Sequence, residues 1–146
     1  MQVRPYQPSD RHEWLRMRLN LWPEGDSALH LSDMDAWLAR ADAVVLVVAR
    51  VGESGLAGFA EIGARSIAES CETSPVAYLE GWYVDPDVRR QGIGTALVRA
   101  AEAWARARGL REFGSDAQLH NVDSQQAHVA LGFIEVERAV LYRKVL

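Results

Sequence analysis

The chain has 146 residues, the size of one domain with a real core, and its 49% hydrophobic and 25% charged residues are the balance of an ordinary water-soluble globular fold. Sixteen Lys and Arg against twenty Asp and Glu give a formal charge of −4, which argues against a nucleic-acid partner and is compatible with a cationic one. The single cysteine, Cys71, excludes a disulfide framework and any multi-cysteine metal site. A cytoplasmic location without a metal is therefore the expectation, and no apolar run suits a signal peptide or a membrane span.

Residues 2–7 predict a short first strand, ended by Pro8. Ser9 and Asp10 then read as helix caps, with Glu13 completing a capping box, and the helix stops at Trp22-Pro23 because proline disfavours helix in the residue before it. Ser32 and Asp35 repeat the cap signal for a second helix, through Trp37 and Leu38 to about Ala41. The nearly continuous apolar, mostly β-branched run 43–51 predicts a strand covered on both faces. Gly52-Glu53-Ser54-Gly55 turns the chain into a second strand over about 56–67, and 78–84 is a third, ended by Asp85-Pro86. Helical spacing follows over 92–108, with Ile93, Leu97, Ala100, Ala101 and Trp104 on one side and Gly109 as its stop. A short strand (about 112–115), a helix (about 121–131) and a final strand (about 134–144) complete the chain. No repeat or linker divides it, so a single domain over 1–146 is expected. The fold class is α/β: a mixed central sheet, antiparallel at first, flanked by about four helices.

The segment Arg89-Arg90-Gln91-Gly92-Ile93-Gly94-Thr95 lies between the third strand and the long helix. A diphosphate needs several unblocked backbone N–H donors at one point, together with the positive end of a helix dipole. A strand-to-helix junction with glycines supplies both, and the two arginines add charge. A lone Gly-x-Gly could be only a tight turn; its position after a strand and at the head of an amphipathic helix is what gives it meaning. A Rossmann nucleotide fold is the rival, disfavoured by the missing second βαβ half and by the glycine spacing.

Arg89-x-x-Gly92-x-Gly94 resembles the acyl-CoA loop of the GCN5-related N-acetyltransferases. Tyr83-Val84-Asp85-Pro86 resembles the family's splayed central strand, and Asn121 followed by Gly132-Phe133 resembles its last motif. The resemblance implies acetyl-CoA as co-substrate, bound by Trp82, Tyr83, Val84, the loop Arg89 to Thr95 and Asn121. It also implies direct attack of a neutral amine on the thioester, with the Val84 N–H polarising the thioester carbonyl and a carboxylate taking the amine's proton. Many members carry a tyrosine as general acid seven residues after the asparagine. Here that residue is His128, which reads equally as a packed helix histidine, so the acid is left open among His128, Tyr142 and solvent.

A narrower resemblance spans most of the chain. Leu21-Trp22-Pro23, Cys71-Glu72-x-Ser74-Pro75-Val76, Leu79-Glu80-Gly81, Ser115-Asp116, the run from Leu131-Gly132-Phe133 to Glu137-Arg138, and Tyr142-Arg143-Lys144 are together similar to the aminoglycoside 6′-N-acetyltransferases. It implies acetyl transfer to one amine of an aminoglycoside antibiotic, with Trp22, Glu72, Glu80, Asp116 and Glu137 toward the acceptor. Asp116 and Glu80 then stand first as proton acceptors. A polycationic sugar suits such a set, because exposed ion pairs stabilise by only about 0.2–1 kcal/mol each and several must act together. Read singly, Trp22 is as well explained as a helix-end core residue, and Glu72 and Glu137 as solvated charges. Glu80 is different, since it interrupts an apolar strand and must face a cleft or a partner. Some members carry a tyrosine shortly before the cysteine; here 65–70 holds no aromatic residue. A homodimer is the expected assembly, as in relatives of this kind, with five tryptophans to supply apolar area. Alternatives from the same sequence are an acetyltransferase for another polyamine, amino sugar or protein amine, and a non-catalytic acyl-CoA sensor.

Overall fold

The computed structural model describes residues 1–146. Its strands are β1 (Val3–Pro5), β2 (Ala43–Ala49), β3 (Leu56–Arg65), β4 (Val76–Val84) and β5 (Phe113–Ser115), and its helices are α1 (Arg11–Leu21), α2 (Ser27–Leu38), α3 (Ile93–Ala107) and α4 (Val122–Ala130). The strands form one mixed sheet in sequence order, antiparallel from β1 to β4 and parallel between β4 and β5. The expected mixed α/β architecture is therefore present. The chain divides into two compact units, Met1–Ser115 with the sheet and α1 to α3, and Asp116–Leu146 with α4.

In the first unit the β-branched residues of β2 and the apolar residues of β3 are covered on both faces, as their continuous hydrophobicity predicts. One face carries a core of Trp14, Met17, Met34, Val47, Phe59 and Tyr83, closed by α1 and α2. Full burial of such a side chain contributes about 1.5–3 kcal/mol. The other face takes the stripe Ile93, Leu97, Val98, Ala101 and Ala105 of α3, which packs on β2, β3 and β4. Trp104 stays half-buried on that helix, with the Arg108 guanidinium 4.7 Å over its ring.

The helix starts differ from expectation. Asp10 makes no side-chain cap bond to α1; its carboxylate accepts from the Gln7 N–H at 2.8 Å and from Arg4, because a 3₁₀ turn (Pro8–Asp10) precedes the helix. Glu13 accepts instead from the Leu56 N–H at 3.0 Å and from Arg16. Helix α2 begins at Ser27, capped by Asp26 through the Leu29 N–H at 2.9 Å, so Ser32 and Asp35 are interior residues. A better-placed cap upstream started the helix before their signal could act.

In the second unit Asn121 caps α4 through the Ser124 N–H at 3.1 Å, and Gly132, at φ +93°, ends it. The predicted final strand over 134–144 does not form. No ladder includes those residues, and Ile134, Val136, Val140 and Tyr142 are all exposed. A strand exists only through a partner ladder, which local sequence cannot supply.

Candidate functional site

Glycine chemistry shapes the loop before α3. Gly92 is the N-cap residue of α3 in the left-handed region, at φ +85°, and Arg90 also has a positive φ of 65°. A non-glycine residue there is uncommon and tends to mark a specialised backbone. The first i→i+4 bond of the helix runs from the Ala96 N–H to the Gly92 carbonyl at 2.9 Å. The N–H groups of Ile93, Gly94 and Thr95 thus have no acceptor within the helix, at the positive end of its dipole. Gly94 has no room for a side chain: a Cβ would lie 3.1 Å from the Trp82 ring, whose Nε1–H donates to the Gly94 carbonyl at 3.2 Å. Arg90 and Gln91 are exposed beside these amides. Arg89 reaches back to β4, where its Nε–H donates to the Val84 carbonyl at 2.9 Å.

Strand β4 leaves β5 early. Their ladder covers Ala77↔Phe113, Tyr78↔Gly114 and Leu79↔Ser115 and then stops, while β4 continues to Val84. Along an antiparallel strand, N–H groups turn alternately to the two neighbours. The Asp85 N–H donates to the Ala57 carbonyl of β3 at 2.9 Å, so the Val84 N–H turns the other way, toward the edge that β5 has vacated. The stretch Trp82-Tyr83-Val84 therefore borders an open edge that runs into the head of α3, the splay expected for this strand.

Glu80 lies at a β-bulge. Glu61 pairs with Gly81 and Ile62 with Leu79, so Glu80 has no opposite residue on β3. Bulges re-aim side chains and are frequent beside active sites. The Glu80 carboxylate is half-buried and meets Arg65 through two hydrogen bonds, at 2.7 and 2.8 Å. Sequence reasoning required a cleft or a partner for this carboxylate, and the partner is Arg65. Trp22 follows α1 and packs half-buried against the core, with its six-membered ring on Gly81: a Cβ there would lie 2.8 Å from the Trp22 Cη2 atom. Glu72 is exposed, and its N–H donates to Glu112 at 2.9 Å.

The second unit carries Asp116, Asn121, His128, Glu137 and Tyr142. Asp116 is its first residue, exposed, in the position directly after β5. Asn121 is engaged as the α4 cap, and Glu137 and Tyr142 are exposed. The His128 Nδ1–H donates to the Ser124 carbonyl at 2.6 Å, and its ring meets Phe133 edge-on at 5.1 Å. These contacts match the packed helix histidine, one of the two readings open for this residue.

Two charged clusters were not singled out from the sequence. Arg16 and Arg50 both bind Asp85, and Arg50 also binds Asp87, along a surface cavity of about 460 Å³ that Asn20, Tyr83 and Arg89 help to line. Burial alone would raise the Asp85 carboxyl, but the hydrogen bonds from Arg16 and Arg50 outweigh it and hold the group below the usual carboxylate range. The second cluster is internal: Glu61 accepts from Trp14 Nε1–H at 2.9 Å and from Arg18, all three buried. Burial pushes the Glu61 carboxyl up. The signal for it was available, since Glu61 interrupts the apolar β3 just as Glu80 interrupts β4.

Residues 11–133 match the Acetyltransferase (GNAT) family. An aminoglycoside N(6′)-acetyltransferase type 1 of Klebsiella aerogenes is 50% identical over 99% of this chain and 96% of its own length. Among solved structures, the apo aminoglycoside 6′-N-acetyltransferase AAC(6′)-IG of Acinetobacter haemolyticus superposes with a TM-score of 0.91, at 37% identity, covering 100% of this chain and 99% of the other. AAC(6′)-Iy, bound to the bisubstrate analogue CoA-S-monomethyl-acetylneamine, does so at 0.90 and 32% identity, covering 99% and 98%. The chain belongs to the GNAT family of acetyltransferases, within the group of the aminoglycoside 6′-N-acetyltransferases.

Proposed function

We propose that this protein transfers the acetyl group of acetyl-CoA to the 6′-amine of aminoglycoside antibiotics, so conferring resistance, as one catalytic domain over 1–146. The observation that carries the reading is the departure of β4 from β5 after Leu79, with the unsatisfied first turn of α3 following in the chain. Such a junction offers an extended arm a strand edge to lie on and a diphosphate a cluster of N–H donors. The loop Arg89 to Thr95 takes the diphosphate, the backbone of Trp82, Tyr83 and Val84 takes the pantetheine arm, and Asn121 contributes from α4. That CoA is bound by AAC(6′)-Iy supports the same donor here.

For the acceptor, Trp22, Glu72, Glu80, Asp116 and Glu137 recognise a polycationic sugar. The attacking amine must be neutral, so a carboxylate accepts its proton, and Asp116 and Glu80 stand first for that role. The new C–N bond forms first, and the C–S bond breaks as the tetrahedral adduct collapses. The Val84 N–H stabilises the oxyanion between these events, and the thiolate leaves with a proton from solvent, Tyr142 or His128. The protein works in the cytoplasm as a homodimer on this reading. Purified protein incubated with acetyl-CoA and kanamycin or tobramycin releases free CoA. Absence of turnover on every drug with a 6′-amine would overturn the proposal.

A further inference from the structure

Trp22 is held in place from several sides. The Arg18 guanidinium lies 4.7 Å from the centre of its ring. The His30 ring stacks on it at 6.4 Å between centroids, with planes 17° apart. His30 also grips the backbone, with Nε2 3.0 Å from the Trp22 carbonyl, and Arg18 Nε–H donates to His30 Nδ1 at 3.3 Å. Arginine only donates and a carbonyl only accepts, so in this network His30 accepts at Nδ1 and donates from Nε2. Arg18 and His30 are both buried, and the charge of Arg18 is balanced by buried Glu61, which Trp14 also satisfies. Asp33 stands 3.7 Å from the same guanidinium at the surface.

The opposite constraint comes from β4. The edge of the Trp22 ring occupies the space of a Gly81 side chain, beside the bulged Glu80. Gly81 is buried at φ outside the left-handed region, so no turn requires glycine there. What requires it is the Trp22 ring. A core tryptophan needs none of this polar apparatus, because its ring can be held by apolar neighbours alone. Burying an arginine, a glutamate and a histidine to place one half-buried ring is costly unless the ring must be held in a set orientation.

We propose that Arg18 and His30 are positioning residues for the acceptor: they lock the Trp22 ring against Gly81, where it forms a rigid wall for the sugar that presents its amine beside Glu80. This assignment rests on the aminoglycoside reading above. Through Trp22, His30 contributes to acceptor recognition without touching the acceptor. Preorganising an aromatic wall removes its rotamer entropy from the cost of binding. The donor side, built on α3 and the far half of β4, does not depend on it.

The test is a double-mutant cycle on steady-state kinetics with acetyl-CoA and tobramycin, using His30→Ala, Trp22→Ala and the double variant. His30→Ala is expected to raise the acceptor KM about tenfold while the acetyl-CoA KM stays within twofold, and to raise it no further when Trp22 is already alanine. A merely structural histidine would move both KM values, or would act equally in the Trp22→Ala background; either result overturns the proposal, as does an unchanged acceptor KM. Should His30→Ala fail to fold, His30→Gln takes its place in the cycle, since its amide can still donate to the Trp22 carbonyl but offers no ring to stack. A parent enzyme that turns over no 6′-amine drug overturns the acceptor reading and the clamp's role with it. A working parent with an unmoved variant overturns the clamp alone.

Discussion

The Glu80 carboxylate takes two hydrogen bonds from the Arg65 guanidinium, which itself lies 3.5 Å over the Tyr78 ring. Both side chains are partly exposed, at 26% and 39%, so the pair stabilises the fold by at most about 0–1 kcal/mol. Its interest is therefore functional: a cationic acceptor that uses Glu80 must share it with Arg65. Glu80→Gln is expected to raise the acceptor KM at least about tenfold, the effect of losing about 1.4 kcal/mol of binding, and to move the melting temperature by no more than about 2–4 °C. Arg65→Gln removes the competing cation and should lower the acceptor KM a few-fold at low salt, the gain fading as salt screens the site. Kinetics on both variants at two salt concentrations check the pair; an unmoved KM in Glu80→Gln removes Glu80 from the acceptor site.

Asp116 carries the other half of the acceptor assignment. If it takes the amine's proton, Asp116→Ala lowers kcat by about 10²–10⁴, the range of a general base. Acetyl-CoA affinity should be unchanged, because the loop that holds the diphosphate is untouched. Titration calorimetry of acetyl-CoA beside steady-state kinetics distinguishes the two effects. Full turnover in Asp116→Ala would assign the proton to another group.

The backbone features proposed to hold the donor were legible because their causes are local. Gly92 needs a left-handed backbone, α3 needs an apolar stripe, and a splayed β4 needs only a β5 too short to follow it; each leaves a mark within a few residues. The surroundings of the residues proposed for the acceptor were legible only in part. Glu80 called for a cleft or a partner, but the partner, Arg65, lies on the neighbouring strand, at the start of the stretch 65–70 that holds no aromatic residue. Arg18 and Trp22 stand one helical turn apart at the end of α1, but His30 comes from α2, and no spacing in the sequence joins it to them. The start of α2 was misplaced because Ser32 and Asp35 look like caps wherever they stand, while Asp26 alone had open backbone in front of it. Residues 134–144 were expected to be a strand but have no ladder, because pairing needs a partner strand that local sequence cannot supply.

Gly92 offers a clean separation of donor from acceptor. At φ +85° a side chain is strained by about 1–2 kcal/mol, and an aspartate adds a negative charge where a diphosphate is to approach the amides of Ile93, Gly94 and Thr95. Gly92→Asp should raise the acetyl-CoA KM about tenfold or more while the acceptor KM stays within twofold. Gly92→Ala, with the strain but not the charge, should fall between parent and Gly92→Asp. Equal effects of the two variants would show that the backbone conformation matters and the anion does not.

Acid stability follows from carboxylates held by arginines, among them Asp10 and Asp85. Asp10 is bound by Arg4 at 2.7 and 2.9 Å, and Asp85 by Arg16 and Arg50 at 2.9 and 2.7 Å. The Arg4 hydrogen bonds hold the Asp10 carboxyl below its ordinary 3.8; for Asp85, burial pulls upward but its two arginines prevail in the same downward direction. A carboxyl whose value is lower in the folded than in the unfolded chain binds fewer protons when folded. Its stabilisation is then complete above the unfolded value and is lost as pH falls through the folded one. Glu61, pushed up by burial, works in the opposite sense and favours the folded chain toward acid. The melting temperature should therefore hold level from about pH 7 to 5 and drop below about pH 4. Asp85→Asn isolates one contribution: it should melt at least about 5 °C below the parent at pH 7, where the parent's carboxylate is charged. By pH 3 that gap should narrow, because the parent's own Asp85 is then taking up its proton. Melting curves of the two proteins across this range check it, and a gap that stays constant with pH would show that Asp85 acts through packing and not through its charge.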